Sequence, residues 1–168
     1  METKFTVRRA GPGDGDVLGG IHAAAWEAAY APFFDPGFAA DGIASRLTRW
    51  HVRLAAQDAT ILLAEGDGRP VAMSVFRSSS TRPGAAEILS FYSHPDSWGT
   101  GVAAALMTGT LEYLRAGGAT RAHLWTLRDT PQSRRFYLKC GFAETGADRP
   151  YDFGDGNPLT QVEYERGC

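Results

Sequence analysis

The chain has 168 residues, 43% hydrophobic and 21% charged, which suits one folded domain with a sizeable core. Seventeen basic and nineteen acidic residues leave a net charge of -2, without the basic excess that a general nucleic-acid binder uses to neutralise phosphates. Two cysteines, Cys140 and Cys168, make neither a disulfide framework nor a CxxC metal pair, and no window reaches the ~18 apolar residues of a membrane span.

The N-terminal METKFTVRRAGPGDGD lacks the apolar core of a signal peptide, so a reduced cytoplasm is the expected compartment. Within it, KFTVRR (4–9) reads as a short strand, and GPGDGD breaks it, with Asp14 a candidate helix cap. From Val17 to Tyr30 the residues Val17, Ile21, Ala24, Ala25 and Ala28 recur at helical spacing. Gly19 and Gly20 weaken that helix by about 1 kcal/mol each relative to alanine. YAPFFDPGF (30–38) reads as a loop. A second helix is expected from Ala40 to Ala56, with Ile43, Leu47, Trp50 and Leu54 on one face.

The period then changes. TILLAE (60–65) and PVAMSVFRS (70–78) read as strands around the turn GDGR, and AEILSFYS (86–93) is a third. A glycine segment leads into a helix from about residue 99 to 116, ended by Gly117 and Gly118. Val102, Ala103, Leu106, Met107, Tyr113 and Leu114 form its expected buried face. RAHLWTLR (121–128) is a strand, and PQSRRFYLKC (131–140) a short helix with proline in its first turn, stopped by Gly141. Residues 142–146 and 159–166 supply two last strands. The order β-α-α-β-β-β-α-β-α-β-β, without repeats or linkers, describes one mixed α/β domain.

HPDSWGTGVAAALM (94–107) places Gly99 and Gly101 directly before a helix. Such a turn either brings a phosphate to the positive helix end or simply needs unusual backbone angles. No GxGxxG is present, which argues against a dinucleotide fold. Two segments decide the matter, because together they resemble the GCN5-related N-acetyltransferases. The first family motif, Gln/Arg-x-x-Gly-x-Gly/Ala at a helix start after a proline, reads here Pro95, then Trp98-Gly99-Thr100-Gly101-Val102-Ala103. Gly101 and Ala103 match, and Trp98 stands where Gln or Arg is usual. The second, Asn-x-x-Ala-x-x-Phe-Tyr-x-x-x-Gly-Phe, reads Thr130, Ser133, Phe136, Tyr137, Gly141 and Phe142. Thr130 and Ser133 depart from it.

The resemblance implies a single N-acetyltransferase domain over residues 1–168. Its central mixed, mostly antiparallel sheet is flanked by helices. It implies acetyl transfer from acetyl-CoA to a primary amine, of a small molecule, by direct attack in a ternary complex, with no metal. Backbone N–H groups of Gly99, Thr100, Gly101, Val102 and Ala103, next to Trp98, would hold the pyrophosphate. Phe91, Tyr92 and Ser93 would pair with the pantetheine arm, one N–H polarising the thioester. Thr130, Ser133 and Tyr137 complete the expected cofactor set.

Acyl transfer to an amine needs an acid for the thiolate, and Tyr137, a phenol of reference pKa ~10, is the candidate. Glu87 resembles in position the base of the histone-acetylating branch and would act through water or with a pKa raised by burial; the alternative is a strand glutamate paired with an arginine. His94 is a rival base, although its place beside Pro95 suits a structural role. His22, His51 and His123 show no metal spacing and read as core or surface residues.

The acceptor side is expected on the first helices. Trp26 and Tyr30 stand four apart, with Phe33 and Phe34 just beyond, and Trp26 equally suits the core. A second wall is expected from DRPYDFGDGNP, with Tyr151, Asp152 and Asp155. The oligomeric state stays open between monomer and homodimer, an exposed last strand being the edge a second copy would use. Acetylation of a protein N-terminus or lysine, a non-catalytic acyl-CoA sensor and an amine-binding module are the competing readings.

Overall fold

The computed structural model describes residues 4–168. Seven strands form one mixed sheet in the order β1-β2-β3-β4-β5-β7-β6. They are β1 (Phe5–Arg9), β2 (Thr60–Gly66), β3 (Arg69–Ser78), β4 (Ala85–Ser93), β5 (Arg121–Leu127), β6 (Ala143–Tyr151) and β7 (Leu159–Gly167). The helices are α1 (Gly15–Ala29), α2 (Pro36–Thr48), α3 (Trp50–Ala56), α4 (Val102–Ala116) and α5 (Pro131–Lys139). Two compact units share the chain, one running up to Phe76 and including Ser90–Thr110, the other comprising Arg77–Leu89 and Leu111–Cys168. Among the described residues no helix is long and apolar enough to cross a membrane.

In the first unit β1, β2 and β3 pair antiparallel. Asp67 and Gly68, both at positive φ, make the two-residue hairpin turn whose twist matches the strands. Ile61–Ala64 and Ala72–Phe76 are buried on both faces apart from register, as near-continuous apolar runs require. α1 begins two residues earlier than the periodicity suggests and buries Leu18, Ile21, His22, Ala25 and Trp26.

Its glycines have separate explanations. A Cβ on Gly19 would lie 2.2 Å from the Leu47 carbonyl oxygen, so the two helix backbones meet there. A Cβ on Gly20 would meet nothing within 4 Å. Gly19→Ala is therefore expected to destabilise by about 2–3 kcal/mol through forced separation of α1 and α2. Gly20→Ala should stabilise by up to about 1 kcal/mol through helix propensity. Denaturant midpoints of the two variants check this, and equal shifts would remove the packing argument.

The second helix starts at Pro36, not Ala40. Asp35 caps it, its Oδ2 accepting the Gly37 N–H at 3.1 Å, with proline in the first turn. The Asp-Pro pair inside an aromatic segment was thus a helix start and not only a loop. The expected single helix is interrupted at Arg49, which keeps helical angles. Leu47 is 46% exposed and so leaves the expected apolar face.

In the second unit β4 runs parallel to β5 from Ala85↔Arg121 to Ile88↔Leu124, and β7 pairs antiparallel with β5 along its length. β6 pairs with β7, with a bulge between Glu144 and Asp148 around Gly146 at φ +87°. That bulge carries the strand to Tyr151, past residue 146 where the expected strand ended. β7 is consequently interior and β6 is the edge, which corrects the expectation of an exposed last strand. Leu111, Leu114, Leu124, Tyr137, Phe142, Val162 and Tyr164 form the buried apolar side. Tyr113 does not join it, being 41% exposed, because it falls one residue off the stripe through Leu114.

Candidate active site

The chain between β4 and α4 makes a single helical turn, Pro95–Ser97, then reverses at the glycines. His94 Nδ1 accepts the Asp96 N–H at 3.2 Å, so the ring caps that turn, which favours the structural role weighed for it. The Trp98 indole N–H donates to the Ser93 carbonyl at 3.0 Å, tying the two ends of the turn together. Thr100 Oγ1 donates to the Ser97 carbonyl at 2.5 Å, and the Thr100 N–H reaches the same oxygen at 3.3 Å.

Gly99 and Gly101 sit at φ +78° and +89°, a region L side chains rarely adopt. Space is not the constraint, because a Cβ on Gly99 would meet nothing and one on Gly101 would lie 3.9 Å from the Phe5 ring. α4 follows directly, its first regular bond running from Ala105 N–H to the Gly101 carbonyl. The N–H groups of Gly99, Gly101 and Ala103 have no partner among the described residues. Thr100 N–H is engaged, and Val102 N–H is 3.4 Å from Thr100 Oγ1, so the five amides named from the sequence are not equally available. Val102, Leu106 and Met107 anchor the helix start in the core.

The same unit holds an aromatic cluster against Tyr92. His22 stacks on the Tyr92 ring at 4.6 Å, and Tyr30 meets it edge-on at 6.3 Å. Trp50 packs edge-on to His22 and donates its indole N–H to His22 Nδ1 at 3.1 Å. Trp26, 1% exposed, stacks on Phe34 at 5.4 Å and carries the Arg46 guanidinium 4.1 Å above its ring. Trp26 is thus a core residue, and Phe34 rather than Phe33 turns inward; Phe33 is 38% exposed. Trp50 lies on the apolar face expected for it and His22 is a core residue, but the sequence showed neither the contact of His22 with Tyr92 nor the place of Arg46 over Trp26. For His22 a signal was present: Leu18, His22 and Trp26 recur every four residues along α1, with Tyr30 at its end.

Indole only donates, so the bond to Nδ1 places the His22 hydrogen on Nε2 in the neutral ring. Burial, and then the charges of Arg46, Arg49 and Arg53, push the His22 pKa down to about 3. The unfolded chain therefore binds a proton here below about pH 6.5 that the folded one refuses until about pH 3. Stability from this group is complete above pH 6.5 and lost as the pH falls. Acidification from pH 7 to 5 is expected to cost about 1–2 kcal/mol through His22. In His22→Gln that slope should flatten, as melting temperatures across the range will show.

The second unit supplies Tyr137, Ser133, Thr130 and Glu87. Tyr137, 8% exposed on α5, is fixed by Phe136, Phe142 and Tyr164, with ring centroids 5.4–6.1 Å away. Ser133 lies one turn before it and is half-buried. The Thr130 hydroxyl donates to the Leu127 carbonyl at 2.7 Å, closing the turn before α5. Glu87 is half-buried on β4, opposite His123 of β5. Among the described residues no hydrogen bond or ion pair holds its side chain, so the arginine pairing considered for it is not found. Tyr151, 42% exposed at the end of β6, packs on Phe153 at 4.7 Å. Asp152 and Asp155 accept N–H groups of their own loop. Burial pushes the Cys140 and Cys168 thiols up, which disfavours the thiolate an acyl carrier needs. Among the described residues no three of His, Cys, Asp and Glu gather as metal ligands.

Residues 20–142 match the family model described as Acetyltransferase (GNAT) family. Uncharacterized N-acetyltransferases of Mycobacterium bovis and Mycobacterium tuberculosis are each 31% identical over 135 residues, covering 79% of this chain and 85% of the relative. Among solved structures, the PaiA N-acetyltransferase of Thermoplasma acidophilum in complex with coenzyme A superposes with TM-score 0.75 at 16% identity, covering 98% of this chain and 99% of that one. YncA of Salmonella typhimurium, with its cofactor acetyl-CoA, gives 0.69 at 20% identity, covering 97% and 93%. The chain belongs to the GNAT family of acetyltransferases, and it is an acyltransferase of that class.

Proposed function

We propose that this protein moves an acetyl group from acetyl-CoA to the primary amine of a small molecule, by direct attack in a ternary complex within a single N-acetyltransferase domain. The observation that carries the reading is the turn before α4. Two residues at positive φ leave the N–H groups of Gly99, Gly101 and Ala103 without a partner among the described residues, at the positive end of a fifteen-residue helix. The pyrophosphate takes those donors. Backbone groups of Phe91, Tyr92 and Ser93 align the pantetheine arm, and one of their N–H groups receives the oxyanion. Thr130 and Ser133 shape the cofactor side near Tyr137.

Tyr137 returns a proton to the departing sulfur, and Glu87 takes one from the ammonium through water. Among the described residues nothing pairs with the Glu87 side chain, which supports that role, since a paired carboxylate is a poorer acceptor. Tyr30 faces the acceptor beside Tyr92, with His22 and Trp26 setting the shape behind them and Phe33 and Tyr151 supplying exposed aromatic surface. Thiol release from acetyl-CoA across a broad panel of amines tests the reading. Acetyl-CoA binding with no turnover on any amine would instead support a sensor.

Glu87→Gln keeps size and hydrogen bonding but cannot take the proton as a carboxylate. Its rate is expected to fall while acetyl-CoA binding holds. It should also keep climbing with pH, because only the amine fraction already deprotonated reacts. A pH–rate profile identical to wild type would leave Glu87 structural.

A further inference from the structure

A buried chain of hydrogen bonds in the second unit takes no part in the acetylation described above. His123 on β5 is 1% exposed and Glu163 on β7 is 2% exposed. His123 Nδ1 lies 3.1 Å from Glu163 Oε2, and His123 Nε2 lies 2.7 Å from Ser79 Oγ. Ser79 follows β3 and is partly exposed, so it is the solvent end of the chain.

Proton positions follow from donor chemistry. A carboxylate oxygen accepts, so Nδ1 carries the hydrogen; Nε2 of the neutral ring then accepts the Ser79 O–H. Ser79 Oγ in turn accepts the N–H groups of Thr81 at 3.3 Å and Arg82 at 3.1 Å; Thr81 Oγ1 lies 3.3 Å away, and the closer imidazole nitrogen at 2.7 Å takes the Ser79 hydrogen. Glu163 divides its oxygens. Oε1 is held by Arg82 and by Thr145 Oγ1 at 2.8 Å, while Oε2 faces the imidazole. The carboxylate cannot swing away from His123. A hydroxyl, a base and a fixed carboxylate from three separate segments reproduce the polarity of a nucleophile–base–orienter triad.

We propose that Ser79, His123 and Glu163 form such a triad, and that Ser79 is a nucleophile toward small activated acyl esters. This reactivity is independent of amine acetylation. Ser79 Oγ attacks the ester carbonyl carbon while its proton passes to His123 Nε2. The bond to the leaving alcohol breaks, and that alcohol takes the proton back. Ser79 is left acylated, and water repeats the sequence to release the acid.

A fluorophosphonate reports the same nucleophile, losing fluoride as the serine oxygen binds phosphorus. The full chain should take one label, mapped by peptide mass to Ser79, and should release p-nitrophenol from p-nitrophenyl acetate. Ser79→Ala should abolish both while thiol release from acetyl-CoA by the folded variant is unchanged, its melting temperature falling modestly as His123 Nε2 and two backbone N–H groups lose their partner. His123→Gln and Glu163→Gln should slow labelling by ~10²-fold or more. If either of those fails to fold, urea-denatured wild type replaces it as the comparison, and labelling confined to the folded chain supports the triad. Folded wild type that stays unlabelled at Ser79, or labelling as fast in folded His123→Gln, overturns it.

Discussion

Gly101→Asp is expected to abolish binding of acetyl-CoA. Binding to the folded state alone raises stability by about 2.7 kcal/mol at a hundredfold excess over Kd, a rise of roughly 5–10 °C in Tm for a domain of this size. The variant should show none of that rise, for two separable reasons. Gly101 sits at φ +89°, where an L side chain is strained by about 1–2 kcal/mol. The new carboxylate also stands where a pyrophosphate would take the N–H groups of Gly99, Gly101 and Ala103. Gly101→Ala isolates the first effect. Because its Cβ meets only the Phe5 ring at 3.9 Å, it should fold and keep a reduced response. Normal acetyl-CoA stabilisation of a folded Gly101→Asp protein would remove the phosphate role from this turn.

Tyr137→Phe is expected to lower turnover by ~10²-fold or more with little change in acetyl-CoA binding. The ring is held by Phe136, Phe142 and Tyr164 and keeps those contacts in the variant. Only the hydroxyl is lost, so an effect on rate reports proton transfer rather than packing. The measurement belongs where chemistry limits the rate, checked by single-turnover kinetics. Unchanged turnover there would make Tyr137 a packing residue.

The parts legible in the sequence are those whose cause is local. The glycines before α4 and the run RRFYLKCGF carry their geometry in neighbouring residues, and both elements lie where the pattern put them. Gly141 at φ +85° ends α5 as its position after the helix required. Tertiary causes were not legible. Gly19 looks like a helix defect until Leu47 is seen against it. His22 looks like a stray histidine, since neither its stack on Tyr92 nor its bond from Trp50 is encoded near residue 22. Asp35-Pro36 carries the local signal of a helix start, which the aromatics around it mask. The edge position of β6 rests on strand order, which periodicity does not carry.

The tie between Trp98 and Ser93 has a spectroscopic consequence. The chain has four tryptophans, and Trp26 and Trp50 are 1% and 0% exposed, whereas Trp98 is 40% exposed. Trp125 lies under the Arg149 guanidinium at 4.3 Å. Water-facing indoles emit at longer wavelength and are the first reached by a dissolved quencher. The red edge of the intrinsic emission therefore belongs largely to one ring, at the turn that opens α4. Acrylamide quenching read at that edge follows this turn without any attached dye, and Trp98→Phe supplies the blank.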